Sequence, residues 1–309
     1  MFFRMQIDQL IRQAVEQVNI HAFRACFGLE TSDGSAKPSR ASFSRSFEHA
    51  MKRLSCTCGG EAVREQRHDH GCPYDRLLNR ERPPRFVLHY SGEMGSQHDR
   101  LTVEFALLGD TVQLLPLIIL ALDDMELGMK DAEIARPQLL EVLTIPDGNR
   151  IYDGRGRKLD MAKVVPSSVR FPEDDGPVSS VMIRFVYPID LIGSGSNSVI
   201  PRFTALIECL WRRLSILCPD SPSIKKTKDD PGLREAMEHI KLDRMKLKWR
   251  KTPRSDCGGS VKTGGVVGQA VYIGSIAPFI PLLRMGEWIG VDNGSWMNMG
   301  RIRVEVNKM

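Results

Sequence analysis

Apolar positions along the chain switch between a period of two and a period of three to four, and the switch points divide it into elements. NIHAFRACFGL at 19–29 alternates as a strand does. After a polar loop through Lys37 and Pro38, FSRSFEHAMKRL places Phe43, Phe47, Ala50, Met51 and Leu54 at helical spacing. RFVLHY at 85–90 and LTVEFALLG at 101–109 read as strands around a polar turn, 111–122 as a second helix, and QLLEVLTI at 138–145 as a closing strand. A Pro-, Gly- and acid-rich linker, FPEDDGPV, follows at 171–178, and then the pattern restarts. VMIRFVYPI is a strand; PRFTALIECLWRRLSIL is a helix with Pro201 in its first turn; a strand near 244–250 and GGVVGQAVYIGSI come next; APFIPLLRMGEW is a short helix and GRIRVEV at 300–306 the last strand. The order is βαββαβ twice, with a longer insertion in the second copy and no internal sequence repeat. The expected fold is α+β, two tandem ferredoxin-like (RRM-like) domains with insertions, over 1–170 and 178–309. Two such sheets side by side would leave a cleft able to take a long ligand.

Composition agrees with a chain that buries a core: 309 residues, 42% hydrophobic and 26% charged. The strongest apolar run, VQLLPLIILAL at 112–122, is too short to cross a bilayer and ends in Asp123 and Asp124. The N-terminus, MFFRMQIDQLIRQAVEQV, lacks the apolar core and cleavage site of a secretion signal, so no membrane association or export is expected. Seven cysteines, an odd number, fit a disulfide framework poorly and point to the cytoplasm. The net charge of +5 is modest, but it is unevenly spread. Residues 225–254 carry 11 basic against 5 acidic side chains, whereas 90–150 carry 4 against 11. In the basic segment Lys246, Lys248 and Arg250 alternate with Leu247 and Trp249, as on a strand with one cationic face. A phosphate backbone suits such a face; an edge strand kept from aggregating by its lysines is the other reading.

Three constellations carry candidate chemistry. His49 and Lys52 lie three apart on the first helix and share a face, with His21 on the preceding strand. An imidazole can take a proton from a ribose hydroxyl or give one to a leaving oxygen, while a lysine stabilises charge on phosphorus. The plain alternative is that His49 packs beside Phe47 or satisfies a carbonyl. The second, CTCGGEAVREQRHDHGCPY, gathers Cys56, Cys58, His68, His70 and Cys72, all zinc-type donors; a polar loop with unpaired thiols is the alternative. Cys26, Cys209 and Cys218 read as small core residues, and Cys257 as part of a loop. The third is a set of C-terminal glycines, including Gly294 and Gly300 around Trp296, which could approach phosphate closely or simply build hairpin turns.

Taken with these features, the sequence resembles the CRISPR repeat-processing endoribonuclease family, a branch of the RAMP superfamily. The resemblance rests on SRASFSRSFEHAMKRLSC at 39–56, GCPYDRLLN, PPRFVLHY, the stretch at 101–128 and, most specifically, GGVVGQAVYIGSIAPFIPLLRMGEWIGVDNGSWMNMGRIRVEV at 264–306. It implies two ferredoxin-like domains and metal-independent cleavage of precursor RNA within repeats, the substrate 2'-hydroxyl acting as nucleophile and leaving a 2',3'-cyclic phosphate. It also implies retention of the mature guide RNA in a ribonucleoprotein of antiviral defence, with CRISPR effector subunits as further partners. His49 matches the family's helical histidine by position, as general acid or base, with Lys52 stabilising the phosphate and His21 a weaker assistant. RNA-binding residues are expected on the first helix, Arg40, Arg45 and Arg53, and in the basic segment, Lys241, Arg244, Lys246, Lys248, Arg250, Lys251 and Arg254. Lys262, Gly294, Trp296, Gly300 and Arg301 complete that expectation. Cleavage requires no cofactor; a structural zinc ion is expected at the Cys/His loop. Where the family commonly has further glycines, this chain has Asp292 and Asn298, and Asp292 adds negative charge near a phosphate-binding surface. A non-catalytic guide-RNA-binding subunit of an effector complex is therefore the alternative reading.

Overall fold

The computed structural model describes residues 2–29, 38–58, 71–78, 85–94, 100–128, 134–165, 178–189, 200–218, 221–222, 224, 230–250, 265–291 and 300–308. The chain divides into two compact units, residues 20–167 and residues 1–19 with 168–309.

In the first unit, β1 (Ile20–Gly28) is central to a sheet of antiparallel pairs. Helix α2 (Arg40–Ser55) follows it, and the short α3 (Pro73–Leu78) precedes β2 (Phe86–Met94) and β3 (Arg100–Leu108). Helix α4 (Leu115–Asp124) leads towards β4 (Gln138–Ile145), to which β5 (Arg150–Asp153) and β6 (Lys158–Leu159) are added. The strand order is β2-β3-β1-β4-β5-β6. Aromatic side chains join sheet to helix: Phe27 meets Phe43 of α2 edge-on at 6.1 Å, and Phe47 stacks on Phe86 at 5.3 Å. Each of these rings is fully buried, and burial of such side chains contributes roughly 1.5–3 kcal/mol apiece. Helix α4 begins later than its apolar pattern suggests, and residues 109–114 form a 3-10 turn instead. Pro116 has no N–H to give the carbonyl four residues back, so the α-helical ladder cannot pass through it from Val112.

The second unit contains α1 (Phe2–Glu16), β7 (Val178–Ile189), α5 (Phe203–Leu217), α6 (Pro231–Glu238), β8 (Lys241–Arg250), β9 (Gly265–Ile273), α7 (Ile280–Ile289) and β10 (Ile302–Lys308). All its strand pairs are antiparallel, in the order β8-β9-β7-β10. Phe203 sits 5.4 Å from both Tyr272 and Phe279, and the Tyr272 hydroxyl donates to the Pro201 carbonyl at 2.7 Å. Pro201 thus lies before the Arg202 cap of α5 rather than in its first turn.

Helix α1 departs from the expected partition into 1–170 and 178–309. Its buried stripe Ile7, Ile11, Ala14 and Val15 packs on α7, the turn at 277–279 and α6, all in the second unit. Among the described residues no helix is long and apolar enough to cross a membrane.

Candidate functional site

Ser39 caps α2, its Oγ accepting from the Ser42 N–H at 3.0 Å, which starts the helix directly after Pro38. From that start Phe43, Phe47, Ala50 and Met51 turn inward, so Arg45, His49 and Arg53 are exposed at four-residue intervals with Lys52 half-buried beside them. Arg45 Nε donates to the Ala41 carbonyl at 3.3 Å, and Arg53 pairs with Asp124 at the end of α4. The stripe is an imidazole flanked by cations, open to solvent. His49 is therefore not a packing residue beside Phe47.

His21 is only 6% exposed. Sheet register places it opposite Leu107, which is opposite Phe86, the ring stacked under Phe47 of α2. It therefore belongs to the row beneath the second half of the helix carrying His49. Burial holds its imidazole below the ordinary value, and a backbone hydrogen bond at Val165 offsets only part of that effect. Its Nδ1 is sealed from solvent with no hydrogen-bond partner among the described residues. A neutral imidazole can accept a proton, but this one has little access to a bound chain.

At the far end of α2 the Sγ atoms of Cys56, Cys58 and Cys72 lie within 4.8 Å of one another. Burial alone would raise the Cys72 thiol; backbone hydrogen bonds at Asp75, Thr57 and Tyr74, together with the Cys58 side chain, bring it below its ordinary value. Three clustered thiols, Cys72 buried and Cys56 and Cys58 half-buried, form a donor set suited to zinc. His68 and His70 lie outside the described residues. Cys26, Cys209 and Cys218 are half-buried rather than enclosed in a core, and Cys257 lies outside the described residues.

In the second unit, β8 is an edge strand of the described sheet, with Lys241, Arg244, Lys246, Lys248 and Arg250 all exposed. Arg244 pairs with Asp243, the residue bulged out of register between Leu242 and Arg244. Lys246 stands opposite Gln269, Gln269 opposite Arg184, and Arg184 opposite Arg303. A polar row with three cations therefore crosses all four strands, spanning about 14 Å at ordinary strand spacing. Arg184 also pairs with Glu305 at 3.4 Å. Neither Arg184 nor Arg303 stands out in the sequence, because only cross-strand register aligns them with Lys246. Arg40 is half-buried, Arg301 is buried, and Gly300 has φ +47°, its carbonyl accepting from the Val291 N–H at 3.2 Å. Lys251, Arg254, Lys262, Asp292, Gly294, Trp296 and Asn298 lie outside the described residues.

Residues 183–302 match the model of a family described as CRISPR-associated endoribonuclease Cas6. A second family model, described as an N-terminal domain, matches residues 39–164. Among solved structures, a Cas6 substrate mimic complex is similar over 93% of this chain and 99% of its own, with TM-score 0.52 and 18% identity. A Thermus thermophilus Cas6 covers the same shares with TM-score 0.54 and 14% identity. At these identities the likeness speaks for the fold. No curated protein matches the chain.

Proposed function

We propose, from the match of residues 183–302 to the Cas6 endoribonuclease model, that this chain belongs with those endoribonucleases of the RAMP superfamily, cleaves CRISPR precursor RNA within repeats and keeps the mature guide bound. The strand orders β2-β3-β1-β4 and β8-β9-β7-β10 support reading the units as two ferredoxin-like domains. We place their limits at 20–167 and at 168–309 with α1.

The observation that carries the reading is the exposed α2 stripe of Arg45, His49 and Arg53, with Lys52 half-buried beside His49. In the proposed reaction the 2'-oxygen attacks the adjacent phosphorus, the bond to the 5'-oxygen breaks, and a 2',3'-cyclic phosphate and a 5'-hydroxyl result. His49 takes the proton from the 2'-hydroxyl or gives one to the departing 5'-oxygen, water serving as the acceptor or donor at the other, and Lys52 stabilises the charge that develops on the phosphate. His21, buried beneath the helix, is kept only as the weaker candidate assistant, supporting α2 from below rather than touching the RNA. The cations of β8, with Arg184 and Arg303, grip the phosphate backbone. Arg40, Arg53, Lys251, Arg254, Lys262, Gly294, Trp296, Gly300 and Arg301 are retained as proposed RNA contacts. Cys56, Cys58 and Cys72, with His68 or His70, are proposed to hold a structural zinc ion that takes no part in bond-making. A cytoplasmic ribonucleoprotein with effector subunits as neighbours completes the proposal.

The test is purification of the protein with native RNA, followed by sequencing and end-group analysis. A discrete RNA ending within a repeat and carrying a cyclic phosphate is expected; random fragments, or no RNA at low salt, would overturn the reading.

A further inference from the structure

The thiol cluster lies where two helices meet. Cys56 ends α2, its N–H donating to the Lys52 carbonyl at 3.0 Å. Cys72 directly precedes α3; its carbonyl accepts from the Arg76 N–H at 3.0 Å, and its Sγ reaches the Ser55 carbonyl in the last turn of α2 at 3.9 Å. Two turns earlier on α2, about 10 Å along its axis, Glu48 accepts a hydrogen bond from the Tyr74 hydroxyl of α3 at 2.9 Å. Tyr74 and Cys72 are both buried. Helix α3 is thus fixed to α2 at two places, one beside His49 and one at the thiols.

In a tetrahedral site with metal–sulfur bonds of about 2.3 Å, neighbouring sulfurs lie about 3.8 Å apart. The three sulfurs, within 4.8 Å of one another, need contract by only about an ångström. Loading a divalent ion there releases three thiol protons and leaves three thiolates on the metal. A six-residue helix such as α3 has little stability of its own and needs such an external tie.

We infer that a zinc-class ion held by Cys56, Cys58 and Cys72 is the clamp that seats α3 against α2 and thereby fixes the face presenting His49 and Lys52. The effect on cleavage rests on the function proposed above; the clamp itself is read on α2. Tyr74 is a positioning residue in the same device, acting through Glu48 on the turn that carries His49.

The test uses the full, untagged chain, loaded with zinc or cobalt and then stripped by a chelator. One equivalent of metal is expected, and the cobalt form should show thiolate-to-metal charge-transfer absorption that weakens in Cys58→Ser and Cys72→Ser. Stripping should remove amide-exchange protection from residues 51–56 while leaving β7 and β9 protected. It should slow single-turnover RNA cleavage about a hundredfold, the scale of an ångström misplacement, with RNA affinity unchanged and the rate restored by zinc. Chelation of the wild-type chain keeps the test valid if a serine variant fails to fold. Tyr74→Phe should keep the metal and lower the cleavage rate without changing affinity. Metal far below one equivalent after refolding with zinc, or α2 protection indifferent to stripping, would overturn the clamp. Metal-dependent protection in a chain that cuts no RNA would support the clamp and defeat the nuclease reading.

Discussion

His49 and His21 show how one residue type is given two environments within a single unit. The first stands on the open stripe of α2 beside Arg45 and Lys52, and the second is sealed beneath that helix. His49→Ala is expected to lower repeat-RNA cleavage by about 10²–10⁴, the usual range for a general acid or base, with RNA affinity and the thermal midpoint unchanged. Unaltered cleavage would remove His49 from the chemistry. For His21, burial depresses the folded-state pKa below the ordinary 6.5. As pH falls, the unfolded chain is protonated first, so stability is unaffected well above 6.5 and declines below it until the folded pKa is passed. His21→Gln should therefore flatten the fall in the unfolding midpoint between about pH 7 and pH 5. Parallel curves for variant and wild type would show that the buried imidazole is not the source.

The basic strand β8 depends on a close approach that its own sequence does not reveal. Gly268 of β9 has φ +125°, and a Cβ there would meet the Lys246 carbonyl oxygen at 2.1 Å. Gly268→Ala should destabilise the second unit by about 1–3 kcal/mol, read by chemical denaturation, and should weaken RNA binding because β8 is displaced. Neutralising Lys246, Lys248 and Arg250 together should flatten the dependence of log affinity on log salt by about 2, at about 0.7 per phosphate contact on a single strand; an unchanged slope would mean that these cations face only solvent. The alternation around Leu247 and Trp249 makes the strand and its cationic face legible from sequence. Its alignment with Arg184 and Arg303 is not, because register belongs to the assembled sheet. The same limit applies to α1: Ile7, Ile11, Ala14 and Val15 mark an amphipathic helix, but nothing in the stripe says that the receiving surface lies more than 200 residues away, on α6 and α7.

For the molecule as a whole, the two-fold run of strand and helix patterns made the α+β architecture readable, since each sheet announces itself through period-two segments bounded by turns. The additions, β5, β6, α3 and α6, were missed because short elements hold too few residues to display a period. The donor chemistry of Cys56, Cys58 and Cys72 was visible, whereas their convergence at the joint between α2 and α3 needed the fold. The proposed function joins these features as an RNA chain gripped by its phosphates and cut by its own ribose hydroxyl. The most direct measurement is cleavage, in magnesium-free buffer, of a CRISPR repeat transcript and of the same transcript with a single 2'-deoxy substitution at the scissile position. Cleavage of the first to a cyclic phosphate, with the second bound equally well but left intact, is the predicted result. Equal cleavage of both transcripts, or tight binding with neither cut, would contradict it.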